Sequence, residues 1–494
     1  MPANPQPLNA RTLKYWSDRV AAPAYDRDLV TPGVVHVGVG GFHRAHQAMY
    51  HDRLMNQGAA YDWGICGVGV MPADQRMKQV LDAQDGLYTL VLKHGDGTWE
   101  PRIIGSIVQY LFAPDDPETV IERMAAPATR IVSLTITEGG YNINDTTGEF
   151  DTANPEVLAD LEPGAVPRTT FGLVIEALSR RRKRGQAPFT VMSCDNLQDN
   201  GYRARRAFTA FARLRDPDLA DWVEGEVCFP NSMVDRITPV TTDADRAEVQ
   251  DRFGIEDQWP VVCEPYTQWV LEDAFGSGRP PYADAGVQVV DHVESYELMK
   301  LRLLNASHQV VSYLGYLAGY RYVHEVCQDQ AFRSMLMRYM AAEATPTLPA
   351  VPGIDLDDYR LTLLDRFANP HVGDSLARNC VDGSDRIPKF VLPVVRHQLE
   401  HGGDISVAVT AVAAWARYLE GVDEQGRPID VVDRRRSELE PWAARQRSDP
   451  GALLALRGVF GDLSDQPQFV AAYRAALTAL HERGARATVE ALRG

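Results

Sequence analysis

The chain has 494 residues, of which 45% are hydrophobic and 24% are charged, and its formal net charge at pH 7 is -17. This length predicts about two to four domains, and the composition is that of a globular protein with a buried core. The excess of acidic residues repels nucleic acid and anionic membranes, so neither is expected as a partner.

The positions of the cysteines and the hydropathy of the chain indicate whether the protein has disulfides, a zinc site or a membrane span. The six cysteines are scattered and form no Cys-x-x-Cys pair, which argues against a disulfide framework and against a structural zinc site. Residues 1–15 are polar rather than apolar, and the longest apolar run, Ile405–Ala416, is too short to span a bilayer. We therefore expect a cytoplasmic protein that holds no metal.

The order of apolar runs predicts an α/β fold with a largely parallel sheet, followed by a mostly α-helical region. The boundary is placed near residue 290, which gives domains 1–290 and 291–494. The predicted strands are Val34–Val39, Trp63–Val70, Tyr88–Leu92, Ile103–Leu111, Arg130–Thr137, Phe189–Ser193 and Val287–Asp291. The predicted helices include His43–Asn56, Phe171–Arg184, Gly201–Leu214, Tyr296–Ala318, Gln330–Ala342, Ile387–Glu400, Ile405–Leu419 and Gln468–Arg483.

A glycine-rich turn, Gly38-Val-Gly-Gly-Phe-His-Arg44, follows the first predicted strand and opens a helix. Its first glycine permits a tight turn, its second lets backbone approach a pyrophosphate, and the helix N-terminus offers free N–H groups. His43 replaces the third glycine of G-x-G-x-x-G, so the segment indicates either a dinucleotide site or an ordinary strand-to-helix turn. Arg44 is expected to reach a phosphate, whereas His43 and His46 lack further ligands for a metal.

Asp74 follows the second predicted strand, which in a dinucleotide-binding fold ends near the adenosine ribose. A carboxylate there bonds the ribose hydroxyls and repels a 2′-phosphate. Asp74 therefore favours NAD over NADP, although Arg76 and Lys78 lie close by in sequence. Its alternative role is that of a helix N-cap.

Lys300, Asn305 and His308 lie in a leucine-rich segment. On an α-helix they fall at about 0°, 140° and 80°, which is one broad face. Such a set suits alcohol oxidation without zinc, because a lysine can take the hydroxyl proton when burial favours its neutral form. Asn305 and Asn196, which ends a predicted strand, are candidate donors to the alkoxide. The alternatives are a lysine extended to solvent and an ordinary Asp-Asn turn.

These motifs together resemble those of the polyol-specific long-chain dehydrogenases. The matching segments are Gly38–His46, Ser133–Tyr141, Met192–Leu197, Phe229–Ile237, Cys263–Asp273 and Lys300–His308, and the resemblance covers nearly the whole chain. It is greatest to the mannitol-oxidising members. It implies a Rossmann-type N-terminal domain, a mostly helical C-terminal domain, and an active site in the cleft between them.

The resemblance also implies zinc-independent oxidation of D-mannitol at C2 to D-fructose with NAD. It assigns Lys300 as general base, Asn196 and Asn305 as the oxyanion hole, and His308 as the residue that orients substrate. Further substrate contacts would be Asp235, Arg378 and Arg386. The cofactor-binding residues would be Gly38, Gly40, Gly41, Phe42, Arg44, Asp74 and Glu138, the last also affecting the proton path of the lysine.

Two residues differ from the pattern of the family at positions that affect the choice of cofactor and of substrate. Ala73 precedes Asp74 where a close relative has a second acidic residue, which weakens the preference for NAD without reversing it. Arg386 stands where a lysine is expected to contact substrate, and the planar guanidinium changes that contact.

The sequence is also compatible with other functions. Within the family the substrate alternatives are D-arabinitol, D-sorbitol, or a hexuronate whose carboxylate Arg378 or Arg386 would bind. A nucleotide-binding sensor without turnover would keep the glycine loop but would not need Lys300, Asn196 and Asn305 together. The resemblance favours a monomer over a dimer.

Overall fold

The computed structural model describes residues 5–144 and 148–492, which form two compact units that divide between Val293 and Glu294. The boundary placed from sequence near residue 290 lies beside this division. Within the described ranges, no helix is both long enough and apolar enough to cross a membrane.

The strands of the first unit form one central sheet and three smaller ones. Strands β2, β3, β6, β7 and β8 pair in the order β6-β3-β2-β7-β8, and every pairing in this sheet is parallel. The strands are β1 (Gln6–Pro7), β2 (Pro32–Val37), β3 (Gly64–Gly69), β4 (Tyr88–Lys93), β5 (Trp99–Ile104), β6 (Ile107–Phe112), β7 (Ile131–Leu134), β8 (Thr190–Ser193), β9 (Ser232–Asp235), β10 (Ile255–Glu256), β11 (Val261–Cys263), β12 (Gln268–Glu272) and β13 (Gln288–Val290).

Helices cover both faces of the central sheet, which is why its strands are continuous apolar runs rather than alternating ones. The helices of this unit are α1 (Gly41–Ala45), α2 (Gln47–Asn56), α3 (Gln75–Ala83), α4 (Pro117–Ala125), α5 (Pro155–Leu161), α6 (Thr170–Lys183), α7 (Asn200–Arg215), α8 (Pro217–Glu226) and α9 (Asp243–Phe253). The predicted α/β class is confirmed.

The strand order reverses between β2 and β7, because the chain builds outward through β3 and β6 and then continues on the other side of β2. In open α/β sheets such a switch point leaves a crevice at the carboxyl ends of the strands, where ligands bind. The segments that follow β2, β3, β7 and β8 therefore share one edge of the sheet.

Two predictions about single elements are wrong. The predicted strand Ile103–Leu111 is two strands, β5 and β6, which belong to different sheets. Between them the amide of Gly105 donates to Asp52 and the hydroxyl of Ser106 donates to the Ala48 carbonyl, so the backbone bends. The predicted helix His43–Asn56 is likewise divided into α1 and α2 at His46, whose φ and ψ are -122° and -91°.

The described part of the second unit is built from helices. These are α10 (Glu294–Met299), α11 (Ala306–Leu317), α12 (Val323–Gln328), α13 (Gln330–Arg338), α14 (Leu356–Phe367), α15 (Leu376–Cys380), α16 (Gly383–Arg386), α17 (Leu392–His401), α18 (Ser406–Tyr418), α19 (Arg436–Ala443), α20 (Arg457–Phe460) and α21 (Pro467–Ala491). Three π-helical segments, Lys300–Asn305, Tyr339–Ala344 and Ile387–Val391, interrupt them. Helix α11 is almost entirely buried and packs against α15, α18 and α21.

Candidate active site

The glycine loop lies at the switch point, directly after β2. Gly38 has a φ of +92°, and a Cβ there would stand 2.2 Å from the Thr135 carbonyl oxygen, so only glycine fits. Ideal Cβ atoms at Gly40 and Gly41 would come no closer than 3.9 and 3.7 Å to other atoms. Helix α1 begins at Gly41, and the first N–H groups of a helix have no partner within it. This donor set fits a pyrophosphate.

Three hydrogen-bonded side chains, those of Ser133, His36 and Thr135, stabilise the turn at Gly38. The Thr135 hydroxyl donates to the Gly38 carbonyl at 2.7 Å, so its oxygen is left to accept from His36 Nε2 at 2.9 Å. The other ring nitrogen of His36 therefore accepts from the Ser133 hydroxyl at 2.8 Å. Burial lowers the pKa of His36 to about 3, so the ring stays neutral in this arrangement.

The histidines of the loop pack inside the unit. His43 is buried and stacks on His36 with ring centroids 3.4 Å apart, and its two ring nitrogens have no hydrogen-bond partner among the described residues. His46 places its ring nitrogens 2.9 Å from the Gln268 carbonyl and 3.0 Å from the Gln47 amide, and the half-buried Phe42 stacks on its ring. In the described part of the chain, no three His, Cys, Asp or Glu side chains cluster as a metal site would require.

Arg44, for which the sequence predicts a phosphate contact, is buried within the first unit. Its side chain is 1% exposed, donates to the carbonyl oxygens of Trp259 and Gly40, and lies over the rings of Tyr88 and Trp259. Carbonyl oxygens and aromatic faces replace the hydration that a buried guanidinium loses. These contacts stabilise the guanidinium inside the protein, which a motif match alone does not reveal.

Asp74 lies where the sequence predicted, at the carboxyl end of β3. Its Oδ2 accepts the N–H groups of Val70 and Met71, both at 2.9 Å, and its side chain caps no amide of α3. The carboxylate is thereby held at the carboxyl edge of the sheet, after the strand that neighbours β2. Of the two nearby cations, Arg76 lies over the Trp259 ring and Lys78 pairs with Asp82 at 2.5 Å.

The ends of β7 and β8 are joined by a carboxylate that the sequence analysis treated only as part of a turn. Asp195 is buried and accepts from the amides of Ile136 and Thr137 and from the Tyr141 hydroxyl. Glu138 lies within the segment that these bonds hold, and the exposed Asn196 follows Asp195 directly. The sequence signal for Asp195 is an acidic residue that follows a predicted strand and directly precedes Asn196.

The segment Lys300–Asn305 is π-helical, so the α-helical angles assumed from sequence do not apply to it. The amide of Ala306 donates to the carbonyl of Leu301, five residues earlier, as a π-helix requires. Residues five apart then lie above one another, which brings Lys300 and Asn305 to one face more closely than an α-helix would. Both residues are 8% exposed, and single π-turns occur frequently at functional sites.

His308 follows on α11 and faces a second acidic residue that the sequence analysis missed. Its Nε2 is 3.4 Å from Asp374 Oδ2, and its ring lies 4.6 Å from that of Phe367. Asp374 Oδ1 accepts from Arg378 at 2.7 Å and from the Asn379 amide at 3.2 Å. Burial raises the pKa of Asp374, but His308 and Arg378 outweigh it and hold that pKa below its usual value. Asp374 therefore joins two of the predicted substrate-binding residues.

The side chain of Arg386 contacts backbone carbonyl groups in the same region. Its Nη1 lies 3.1 Å from the carbonyl oxygen of Asn379 and 3.4 Å from that of Arg378. The amide of Gln309, one residue after His308, also donates to the Asn379 carbonyl. Arg386 thus stabilises the segment that carries Arg378, whatever contact it makes with substrate.

The parallel sheet with its glycine loop at the switch point, followed by a helical unit with a buried lysine, defines an oxidoreductase of the Rossmann type. Residues 32–283 match the family model of the mannitol dehydrogenase Rossmann domain, and residues 292–481 match that of the mannitol dehydrogenase C-terminal domain. The chain belongs to the mannitol dehydrogenase family, which confirms the resemblance drawn from its motifs.

Known relatives match along almost the whole chain. Mannitol 2-dehydrogenase of Phaeosphaeria nodorum is 48% identical, over 98% of this chain and 85% of the relative. The structure of Pseudomonas fluorescens mannitol 2-dehydrogenase in ternary complex with NAD and D-mannitol has a TM-score of 0.89 at 45% identity, covering 99% of both chains. A substrate-free D-sorbitol dehydrogenase has a TM-score of 0.91 at 39% identity, covering 98% of this chain and 100% of the other.

Proposed function

We propose that the chain oxidises D-mannitol at C2 to D-fructose with NAD, without zinc. The observation that carries this proposal is the 45% identity, over 99% of both chains, to the Pseudomonas fluorescens enzyme crystallised with NAD and D-mannitol. In this proposal the first unit binds NAD and the second carries the general base. A monomer in the cytoplasm remains our prediction for the state of the protein.

The residues of the first unit suit the cofactor. Gly38, Gly40 and Gly41 supply a backbone surface for the pyrophosphate, and Asp74, after the neighbouring strand, would bond the ribose hydroxyls. When bound, NAD supplies the hydride acceptor. Arg44 is not part of this proposal, because its guanidinium has partners within the protein.

We propose Lys300 as the general base. It takes the proton of the C2 hydroxyl as the hydride leaves C2, so the alcohol becomes a ketone and one proton remains on the Nζ atom. Lys300 is 8% exposed, and buried lysines are the ones that proteins use as general bases. Asn305, and Asn196 of the first unit, are proposed to donate to the oxygen while it carries negative charge.

The remaining polar residues are proposed to choose and orient the polyol. His308 and Arg378, which share Asp374, would bind hydroxyl groups, and Asp235 and Arg386 would add contacts. We propose Glu138 as a group that affects how the proton leaves Lys300, since it is exposed on the segment after β7.

A second candidate function is oxidation of D-sorbitol, favoured by the 39% identity to a D-sorbitol dehydrogenase. Arg378, whose side chain is 58% exposed, also offers a cation to a hexuronate carboxylate, so a hexuronate reductase is a third candidate.

A substrate panel tests the proposal. The purified chain is given D-mannitol, D-sorbitol and D-arabinitol with NAD or NADP, and fructose or a hexuronate with NADH, while the absorbance of reduced nicotinamide is followed. The expected result is the highest kcat/KM for D-mannitol with NAD, with fructose as the identified product. A higher kcat/KM for D-sorbitol or a hexuronate would contradict the substrate assignment. Cofactor binding without any turnover would favour a sensor.

A further inference from the structure

Asp195 is the centre of a hydrogen-bonded cluster at the carboxyl edge of the central sheet. Its Oδ1 accepts from the Thr137 amide at 2.8 Å, and its Oδ2 accepts from the Ile136 amide at 3.1 Å and from the Tyr141 hydroxyl at 2.7 Å. The side chain is 6% exposed. One buried carboxylate therefore fixes both ends of the short segment 136–141, which carries Glu138.

The backbone of the same residue is tied to a second strand. The Asp195 carbonyl accepts from the Asn200 amide at 3.0 Å, and that amide also donates to the Ser232 carbonyl at 2.7 Å. The Ser232 amide donates back to the Asn200 side chain, and the Ser232 hydroxyl donates to the Ser193 carbonyl. Ser232 begins β9, and β9 ends at Asp235.

Asp195 is thus connected to three residues with proposed roles, which are Glu138, Asn196 and Asp235. Glu138 lies on the segment that the Asp195 carboxylate holds, and Asn196 is the next residue in the chain. Asp235 ends the strand to which Asn200 joins Asp195. Thr137 has a φ of +63°, which a β-branched residue adopts only when its surroundings hold it there.

We propose that Asp195 is a positioning residue for the reaction, which holds Asn196 and the Glu138 segment in their working geometry. This inference rests on the proposed function of polyol oxidation. Asp195 acts through its neighbours and takes no part in proton transfer itself. A carboxylate suits this role because both oxygens accept from fixed donors, whereas an amide side chain presents one oxygen and one N–H group.

The cluster makes the geometry sensitive to acid. Burial raises the pKa of Asp195 to about 6, although the bonds from Tyr141, Thr137 and Ile136 lower it. The other titratable groups that face it are Glu138, whose charge also raises this pKa, and the buried thiol of Cys194. Protonation replaces one acceptor by an O–H donor, so the cluster loosens as the pH falls through about 6.

The first test is Asp195→Asn. The expected result is a decrease of about 10- to 100-fold in kcat for D-mannitol, with the Kd for NADH changed by less than about twofold. The matched control is Asp160→Asn, because Asp160 is 8% exposed and also accepts from two amides and one hydroxyl, those of Arg168 and Thr169. It lies on α5, which carries none of the residues proposed to act, and we expect its kcat to stay within about twofold of the unsubstituted enzyme.

The second test is Tyr141→Phe, which keeps the carboxylate and removes one hydrogen bond to it. Since that bond lowers the pKa of Asp195, its loss should move the acid limb of activity to higher pH by about one unit. The limb is read from kcat for fructose reduction with NADH, a direction in which protonated Lys300 is the active form. The limb of Asp160→Asn should not move.

Two results would overturn the inference. One is an Asp195→Asn enzyme with unchanged kcat. The other, decisive if Asp195→Asn does not fold, is a Tyr141→Phe enzyme whose acid limb stays in place. These results differ from failure of the proposed function, which is an unsubstituted chain inactive on D-mannitol. If the chain prefers another polyol, the same variants are measured with that polyol, and a chain inactive on every polyol contradicts both proposals.

Discussion

Polar side chains serve opposite purposes in the glycine loop of the first unit and in the Lys300–His308 segment of the second. In the loop, Arg44 and His43 are buried against strands and rings of the same unit, and the surface that suits a cofactor is backbone. In the second segment, π-helical geometry brings an amine and an amide to one face, and Asp374 faces the imidazole that follows.

The difference fits the role that we propose for each region. A pyrophosphate is bound well by backbone N–H groups, which need a tight turn and small residues rather than a particular side chain. Proton removal needs one named group at one place, so burial and helix geometry must be specified for that side chain. Substitutions in the two regions should therefore differ in kind, with loss of the proposed base having the largest effect.

Lys300→Ala should have the largest effect on turnover. We expect kcat for D-mannitol to fall by about 10²- to 10⁴-fold, because the general base is lost, while NADH still binds with its original Kd. The control is Lys389→Ala, since Lys389 is an exposed lysine of the same unit paired with Asp385. Near-normal turnover of Lys300→Ala would show that another group accepts the proton.

Gly38→Ala should act on cofactor binding instead. The added Cβ meets the Thr135 carbonyl at 2.2 Å, so the loop has to move, and we expect the Kd for NADH to rise at least about tenfold. Gly58→Ala is the control, because Gly58 has a similar positive φ of +80° but open space around it. Equal NADH affinities in the two variants would indicate that the loop does not bind the cofactor.

Asp374→Asn should weaken substrate binding more than turnover. We expect KM for D-mannitol to rise about tenfold, because His308 and Arg378 lose the charge that orients them, with little change in the Kd for NADH. Asp365→Asn, at an exposed carboxylate paired with Arg333, is the control. An unchanged KM would show that Asp374 does not position His308 and Arg378 for the substrate.

The same substitution has a pH signature in stability. The pKa of Asp374 is lower in the folded chain than its ordinary 3.8, so its contribution to stability is present above that pH and is lost as the pH falls. The difference in melting temperature between the two proteins should therefore shrink as the pH falls below about 4. A difference that grows in acid would contradict this ion pairing.

Arg44→Met should have the smallest effect on activity. We expect the melting temperature to fall by about 2–4 °C, because two carbonyl oxygens lose a buried donor, and the Kd for NADH to change by less than about threefold. The control is Arg76→Met, at an exposed arginine over the same Trp259 ring. A loss of NADH affinity near 100-fold that depends on salt would restore Arg44 to the phosphate site.

The apolar runs and their spacing by helices were sufficient to predict the α/β class, because a buried parallel strand is recognised from local sequence alone. They were not sufficient to separate β5 from β6, since the bend at Gly105 depends on Asp52, which is 53 residues away. The same limit applies to Arg44. Its motif position predicted a phosphate contact, whereas its partners come from Tyr88 and Trp259, on other parts of the chain.

The sequence by itself determined the family, the glycine turn at Gly38, and the lysine, asparagine and histidine that we propose for catalysis, because these depend on residue type and spacing. Only the tertiary structure decided the π-helical geometry of Lys300–Asn305 and the two buried carboxylates, Asp195 and Asp374, that hold other side chains in place. The physical reason is that a carboxylate becomes a positioning group only through burial and through donors that distant segments bring to it.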